Sequence, residues 1–357
     1  MFSPREYRGG RVKVYGCSPG CLLTSLLVSV VLTILVNLLI RASDPAGAGT
    51  AGSRPEAALE SAQVLGEILT AVVTPFRSDG SVDEEAFRRI CTHLVETGSD
   101  GVVVAGTTGE SPTLSDEERL GLFAAAVETV GDRATVVAGT GTYSTAHSVH
   151  LTGQAHELGV DAFLIVTPYY SKPPPRGIVE HFRAIAEATD RPLVVYNIPQ
   201  RVVVNLEPET LAELAEIPNV AAVKQATSDL KQAKRILAET DLTLYAGNDD
   251  LLLPFLELGA VGGVLVYTHI VGTRVRELVT RFRAGDLDGA RAIEDELRPV
   301  IDALAVTTNP IPVKAALAMV GHDVGGLRLP LVEATDDERA FIRDALERAG
   351  VLEQARV

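Results

Sequence analysis

Eight short apolar segments recur along this chain after residue 65, and each is followed by a stretch with helical periodicity. The segments are rich in β-branched residues and succeed one another about every 20 to 33 residues. Continuous apolar strands that alternate with helices are typical of a parallel sheet covered on both faces. Eight such units within about 220 residues predict an α/β fold, a (β/α)8 TIM barrel. The segments are LTAVVTPF near residue 72, GVVVAG near 103, TVVAGT near 136, AFLIVTP near 165, PLVVYN near 194, VAAVKQ near 222, LTLYAG near 244 and GGVLVY near 264.

Three further helical patterns follow the barrel, at residues 287–305, 310–320 and 335–349. We therefore assign residues 66–285 to the barrel and 286–357 to a C-terminal helical region. The alternative is a doubly wound open sheet, which usually opens its first helix with G-x-G-x-x-G. Because the chain has only a fragment of that pattern, GTGTY, the barrel is favoured.

The amino-terminal segment differs in kind from the rest of the chain. No charged residue occurs between Val14 and Ile40, and residues 22–40 read LLTSLLVSVVLTILVNLLI. At about 1.5 Å per residue this stretch has the length of a hydrocarbon core, which predicts a transmembrane helix. Residues 1–21 form a basic tail before it, and residues 41–65, rich in small and polar side chains, form a linker.

Two interpretations of residues 1–65 stay open: a membrane anchor, or a gene fusion or start site placed too far upstream. Four basic residues precede residues 22–40 and two follow closely, which favours a cytoplasmic amino terminus and an exported body. A cleaved signal peptide fits less well, because the apolar run exceeds a usual h-region. The body would be attached to a membrane only if residues 22–40 are retained.

The charge of the chain excludes one class of partner. The chain has 32 Lys and Arg against 47 Asp and Glu, a formal net charge of −15 and a pI near 5.0. This is the wrong sign for non-specific binding of nucleic acid backbones. The three cysteines, Cys17, Cys21 and Cys91, cannot form a disulfide framework, and the 7 histidines show no zinc-binding spacing. We therefore expect neither nucleic acid nor a metal ion to be bound.

Active sites of TIM barrels lie at the carboxyl ends of the strands, which restricts the candidate catalytic residues. Lys224 ends the sixth apolar segment, so its amine would enter the top of an apolar barrel. A neutral lysine amine there could act as a nucleophile, although a salt-bridged strand-end lysine is the alternative. Tyr196 ends the neighbouring fifth segment and could exchange protons beside Lys224, or serve only as an aromatic at the barrel mouth. Other residues that follow the carboxyl ends of the predicted strands are Thr74, Gly106–Glu110, Tyr169, Tyr170, Asn197 and Asn248–Asp250.

Two further groups could bind anions. The GTTGE sequence at 106–110 combines glycines with the hydroxyls of Thr107 and Thr108, which suits a carboxylate as well as it suits a tight turn. Arg201 follows Tyr196 by five residues and could bind a second carboxylate through two hydrogen bonds, or remain in solvent.

Six motifs occur together in the order and spacing of one enzyme family. They are GTTGES, VTPYY, YNIPxR, AVKQAT, GNDD and TNPIPVKAAL. On these motifs the chain, from about Gly66 to Leu352, resembles the pyruvate-dependent Schiff-base aldolases of the N-acetylneuraminate lyase superfamily. The resemblance implies a TIM-barrel lyase that condenses pyruvate with L-aspartate 4-semialdehyde in lysine biosynthesis. It also implies a covalent lysine–pyruvate imine and no cofactor.

The resemblance implies roles for individual residues. Lys224 would form the imine with pyruvate, and Tyr196 would be the central acid and base. Thr107 with Thr108 would hold the pyruvate carboxylate. Thr108 would also link Tyr196 to Tyr170 in a proton relay.

In this family the second tyrosine of the PYY motif reaches across a dimer interface, so Tyr170 would serve the site of a neighbouring subunit. This implies a homo-oligomer, commonly a dimer of dimers. Arg201 would bind the carboxylate of the semialdehyde, a feature that N-acetylneuraminate lyases lack at this position. A sister aldolase acting on a sugar acid or another aldehyde would keep Lys224 and Tyr196 without needing Arg201, and it stays open as an alternative activity.

The chain departs from the family pattern at three places. Val202 and Val203 follow the arginine where Thr-Gly is common, and Gln225 follows the lysine where glutamate is frequent. His147 stands where lysine-inhibited members carry a glutamate.

The implied substrates also predict a location for the catalytic body. Pyruvate and aspartate semialdehyde are intracellular metabolites in the matched pathway, so we expect the body to work in the cytoplasm. The alternative from another class of protein is a non-catalytic barrel tethered to a membrane through residues 22–40.

Overall fold

A computed structural model describes residues 65–354 and two short strands near the amino terminus. Those strands, Pro4–Arg5 and Val14–Tyr15, pair in antiparallel orientation. The predicted transmembrane segment at 22–40 lies outside the described residues, as does the predicted linker up to residue 64. Within the part of the chain that is described, no helix has the length and apolar character needed to cross a membrane.

Eight parallel strands close into a barrel, which confirms the predicted (β/α)8 architecture. Each strand pairs with the next along the chain, and the last pairs with the first, with Gly263 opposite Ile68. The strands are β1 (Ile68–Ala71), β2 (Gly101–Val104), β3 (Thr135–Gly139), β4 (Ala162–Val166), β5 (Leu193–Asn197), β6 (Val220–Gln225), β7 (Thr243–Ala246) and β8 (Gly262–Leu265).

One helix of at least seven residues follows each strand, and three more complete the described chain. Several begin at capping residues: Ser115 accepts a hydrogen bond from the N–H of Glu118, and the Glu118 carboxylate accepts one from the N–H of Ser115. The helices are α1 (Glu84–Glu96), α2 (Asp116–Val130), α3 (Thr145–Glu157), α4 (Pro175–Ala186), α5 (Pro208–Ala215), α6 (Leu230–Glu239), α7 (Leu252–Leu258), α8 (Thr268–Arg283), α9 (Leu287–Leu304), α10 (Ile311–Met319) and α11 (Asp336–Arg348). The ends of α9, α10 and α11 lie within one residue of the predicted boundaries.

Side chains on the strands alternate between two hydrophobic layers. On β5, Val194 and Tyr196 point into the barrel, whereas Val195 packs outward against the helices. On β6, Val223 packs outward in the same way, so the next residue, Lys224, points into the barrel. The alternation therefore brings a tyrosine and a lysine to the inner face of neighbouring strands.

Candidate active site

Lys224 and Tyr196 lie side by side at the carboxyl ends of β6 and β5. They are register partners across the two strands, and the Lys224 Nζ atom lies 4.3 Å from the centroid of the Tyr196 ring. Both side chains are buried, with 5% of Lys224 and 4% of Tyr196 exposed. Among the described residues no carboxylate forms an ion pair with Lys224. The alternative interpretation, a lysine that only forms a salt bridge at the strand end, therefore finds no support within this part of the chain.

Asp249, from the GNDD motif, lies close enough to Lys224 to feel its positive charge. Its two carboxylate oxygens accept hydrogen bonds from the backbone N–H groups of Val266 and Tyr267, at 2.8 and 3.0 Å. Desolvation raises the pKa of Asp249 to about 6, although these two N–H donors and the positive charge of Lys224 act in the opposite direction. The carboxylate therefore ties the segment after β7 to the segment after β8.

The GTTGE sequence forms the loop after β2. Thr108 is buried, and its Oγ1 accepts a hydrogen bond from Asn309 Nδ2 at 2.9 Å. Thr74 Oγ1, after β1, donates to the carbonyl oxygen of Gly109 at 2.7 Å. Thr107 is half-buried and faces a cavity at the mouth of the barrel.

This cavity has a volume of about 300 Å³ and is the space in which small substrates would fit. Thr107, Tyr196 and Arg201 all lie in its wall, so the structure brings together three of the predicted site residues. Lys224 is not among the residues that line the cavity, but its Nζ lies against the ring of Tyr196, which is. Asn309, from the C-terminal region, completes this side of the wall.

Arg201 lies in a single helical turn, Pro199–Val202, that follows β5. Its side chain is exposed, and Nη2 donates to the Asn309 carbonyl oxygen at 3.2 Å. A positive group at the rim of the cavity can bind the carboxylate of a ligand that enters it. Val203, the next residue but one, adopts a left-handed conformation with φ of 67°, which is unusual for a β-branched side chain.

Tyr170 does not join the other site residues within one chain. Its side chain is 93% exposed, and its φ of 68° is again in the left-handed region. The preceding residue, Tyr169, lies in the cavity wall and packs edge-on against Tyr143, with ring centroids 5.3 Å apart. Tyr170 is therefore available to a second protein molecule.

A chain of buried amides lies behind the lysine and the tyrosine. Asn197 and Gln225 directly follow those residues, point to the opposite face and are register partners. Asn197 Nδ2 donates to Gln225 Oε1 at 3.0 Å, and Gln225 Nε2 donates to Gln232 Oε1 at 2.9 Å. Gln232 Nε2 donates in turn to the Leu206 carbonyl oxygen at 2.8 Å. This uncharged network, the amide network, fixes the ends of β5 and β6 relative to each other.

Two residues of the site had no assigned role in the sequence analysis. Asn309 belongs to the TNPIPVKAAL motif, but it does not follow a barrel strand, so its position in the sequence gives no sign that it lies at the site. Asp249 lies at the end of a strand and was selected, yet nothing in the sequence showed that its carboxylate would bind backbone N–H groups. Among the described residues, no group of three or more His, Cys, Asp or Glu side chains is arranged to hold a metal ion.

Comparison with known proteins gives consistent results over the whole barrel and the helices that follow. The model of the dihydrodipicolinate synthetase family matches residues 64–349. The chain is 50% identical over 289 residues to the 4-hydroxy-tetrahydrodipicolinate synthase of Moorella thermoacetica, covering 80% of this chain and 99% of that protein. It is 48% identical over 290 residues to the synthase of Desulforudis audaxviator, covering 81% and 99%.

Solved structures show the same likeness. The dihydrodipicolinate synthase DapA-2 of Bacillus anthracis aligns with a TM-score of 0.78 at 41% identity, covering 79% of this chain and 98% of that chain. The dihydrodipicolinate synthase of Cyanidioschyzon merolae, solved with lysine bound, aligns with a TM-score of 0.79 at 42% identity, covering 81% and 99%.

Proposed function

This chain belongs to the dihydrodipicolinate synthetase family, and we propose that Lys224 is the residue through which it condenses pyruvate with L-aspartate 4-semialdehyde. The reaction gives 4-hydroxy-tetrahydrodipicolinate in lysine biosynthesis, and the enzyme is a lyase that needs no cofactor besides its own lysine–pyruvate imine. The observation that carries the assignment of Lys224 is its position, buried without a carboxylate partner among the described residues and 4.3 Å from the Tyr196 ring.

The first step forms the imine. The amine of Lys224, after it has lost a proton, adds to the C2 carbonyl of pyruvate, and the resulting carbinolamine loses its hydroxyl as water. Tyr196 donates the proton that the departing hydroxyl needs, because its phenol is the acidic group on the adjacent strand. The product of this step is a protonated imine between Nζ and C2.

The second step forms the carbon–carbon bond. Loss of a proton from the C3 methyl group converts the imine to an enamine, whose C3 attacks the aldehyde carbon of the semialdehyde. The aldehyde oxygen takes up a proton as it becomes a hydroxyl. The amino group of the second substrate then attacks C2, which closes the ring and releases the Lys224 amine.

Thr107 and Thr108 serve this chemistry from the GTTGE loop. Thr107 faces the cavity and would donate a hydrogen bond to the pyruvate carboxylate. Thr108 accepts a hydrogen bond from Asn309, so its own proton is free to be donated in a second direction. This supports a position for Thr108 between Tyr196 and Tyr170 in a proton relay.

Tyr170 would complete that relay in the site of a second subunit. Its side chain is 93% exposed in one chain, which supports a contribution to the site of a neighbouring molecule. The active form is then at least a dimer, and we propose a dimer of dimers.

Arg201 supports the synthase over a sister aldolase. Its guanidinium lies at the rim of the cavity, where it could bind the carboxylate that distinguishes the semialdehyde from a simple aldehyde.

The body would carry out this reaction in the cytoplasm, where both substrates are made. Immunoblotting of fractionated native cells, with protease added outside intact spheroplasts, checks this location. A protein of 37.9 kDa that the protease digests from outside would contradict it.

Borohydride trapping tests the assignment of Lys224. Reduction in the presence of pyruvate should attach a three-carbon adduct to the peptide that carries Lys224, and Lys224→Arg should abolish it. The same preparation should consume pyruvate and aspartate semialdehyde in a coupled assay. An adduct on Lys314, on another lysine or on none would show that the assignment is wrong.

A further inference from the structure

The loop that carries Thr107 and Thr108 begins and ends in a conformation that ordinary residues avoid. Ala105 has φ of 52° and Glu110 has φ of 55°, both in the left-handed region, and neither is a glycine. Such backbone conformations persist only where surrounding contacts hold them. The contacts that hold this loop therefore determine where its two hydroxyls lie.

The strongest of these contacts is an ion pair between Glu110 and Lys314, which lies on α10. The Lys314 Nζ atom is 2.7 Å from Glu110 Oε1, and the two side chains are 2% and 0% exposed. At this distance, away from solvent, the coulombic attraction between the two charges is strong. Each of the two side chains makes one further hydrogen bond: Glu110 Oε2 accepts from the backbone N–H of Arg328 at 3.1 Å, and Lys314 Nζ donates to the Gly326 carbonyl oxygen at 2.7 Å.

The rest of the loop is held from both sides. Thr74 binds the Gly109 carbonyl from the barrel, and Asn309 binds the Thr108 hydroxyl from the C-terminal region. Lys314 is also placed against the barrel, since its Nζ lies 4.4 Å from the centroid of the Phe76 ring. The C-terminal region and the barrel thus hold three consecutive residues of this loop, Thr108, Gly109 and Glu110.

We propose that Glu110 and Lys314 are positioning residues of the reaction, which hold Thr107 and Thr108 in the orientation that catalysis requires. Thr74 and Asn309 act in the same way. This inference rests on the roles proposed above for the two threonines. On this proposal the C-terminal helix α10, which lies outside the barrel, contributes to catalysis through Lys314, because that residue holds the loop in place.

A buried ion pair could instead serve folding alone, and neutralising both partners separates the two possibilities. Glu110→Gln or Lys314→Met alone leaves an unpaired charge in the interior, so both single variants should melt at a lower temperature than the wild type. The double variant removes both charges and keeps an acceptor for the Arg328 N–H, so its melting temperature should recover. Its activity should not recover, because the ionic anchor of the loop is lost.

The measurement is kcat per competent site, with sites counted as borohydride-trapped pyruvate on Lys224 at saturating pyruvate. We expect the folded double variant to trap pyruvate fully while kcat per trapped site falls at least about tenfold, since small displacements of catalytic groups can cost about a hundredfold. The KM for pyruvate should rise as well. The matched control is Glu257→Gln with Arg291→Met, which removes an exposed ion pair and should leave kcat per site unchanged.

Wild-type kcat and KM in the folded double variant would overturn the proposal. If the double variant does not fold, Thr74→Val provides the same test, because it frees the loop from the barrel side without a charge. Wild-type kinetics in that variant would also overturn the proposal. A wild-type enzyme that traps no pyruvate on Lys224 would instead refute the proposed function, so the two failures are distinct.

Discussion

The ammonium group of Lys224 stands over the face of the Tyr196 ring, 4.3 Å from its centroid, on the neighbouring strand of the barrel. The ring face carries partial negative charge and stabilises a nearby cation. The contact joins two strand residues rather than two loop residues, so its geometry depends on the register of the sheet. The proposed nucleophile and the proposed proton donor are therefore both positioned by the barrel itself.

Tyr196→Phe keeps this ring and removes only the hydroxyl. We expect kcat to fall by about 10² to 10⁴, the usual contribution of a positioned acid or base, while the melting temperature changes little. A coupled assay and circular dichroism measure the two quantities. An unchanged kcat would remove Tyr196 from the proton transfers.

Tyr170 is predicted to act in the site of the partner subunit. Tyr170→Phe and Lys224→Ala proteins, each nearly inactive, should regain activity when mixed and allowed to exchange subunits, because some sites then hold both intact groups. Each protein incubated alone is the control. Verified exchange without recovery would place Tyr170 outside the partner's chemistry.

Arg201→Ala should impair the second substrate selectively. We expect kcat/KM for aspartate semialdehyde to fall, by an amount equivalent to about 2 to 5 kcal/mol if loss of the guanidinium leaves a desolvated substrate carboxylate unpaired, whereas pyruvate trapping on Lys224 continues. Arg183→Ala, at an exposed position on α4, is the matched control. Equal losses of kcat/KM for the semialdehyde and of pyruvate trapping would indicate a folding defect. An unchanged kcat/KM for the semialdehyde would favour a sister aldolase.

Gln225→Glu tests the amide network. A carboxylate at this position has no N–H to donate to Gln232 Oε1, so two acceptors would face each other in the interior. We expect the free energy of unfolding to fall by about 1 to 3 kcal/mol, and kcat to fall with it as the strand ends shift. Gln154→Glu, on the exposed face of α3, makes the same chemical change without this cost. Wild-type stability and kcat in Gln225→Glu would contradict the role of the network.

The stability of the enzyme should decrease in acid partly because of His269. Burial lowers the pKa of His269 to about 4, and the nearby rings of His93 and His322 act in the same direction. Below about pH 6.5 the histidine takes up a proton in the unfolded chain but not in the folded protein, which favours the unfolded chain. The free energy of unfolding therefore falls as the pH decreases from about 6.5 toward 4. Between pH 7 and pH 5 the wild type should lose about 2 kcal/mol more unfolding free energy than His269→Gln.

Chemical denaturation at the two pH values measures this difference, and His150→Gln, on an exposed part of α3, should behave like the wild type. Other groups with shifted pKa values, among them His322 and Glu294, also change the background slope. Burial also lowers the pKa of His181 to about 4, whereas desolvation raises that of Asp249 to about 6, and these shifts act in opposite directions. Parallel pH dependences in the wild type and in His269→Gln would contradict the prediction.

The barrel was predictable because its strands and helices have different periodicities. Eight apolar segments, each followed by a helical pattern, are compatible with few folds other than a barrel. The capped helices begin where Ser or Asp precedes the helical pattern. The proximity of Tyr196 and Lys224 followed as well, since strands five and six are neighbours in any such barrel.

Contacts between the barrel and the C-terminal region were not predictable from such patterns. Glu110 and Lys314 are charged, and hydropathy places charged residues on the surface, yet both are buried because each neutralises the other. The bond from Asn309 to Thr108 depends on how α9 and α10 pack beside the barrel, and no local pattern encodes that packing. The same is true of the exposure of Tyr170, which depends on a loop conformation.

The link between Thr108 and Asn309 also sets an order of events during synthesis. The two residues are 201 positions apart, so the ribosome needs about 10 to 40 s to make the second after the first. During that interval all eight strands can emerge, but the loop with the two threonines lacks its C-terminal partners. The bond that holds the Thr108 hydroxyl can therefore form only after residue 309 has been made, so this loop acquires its final contacts later than the barrel strands.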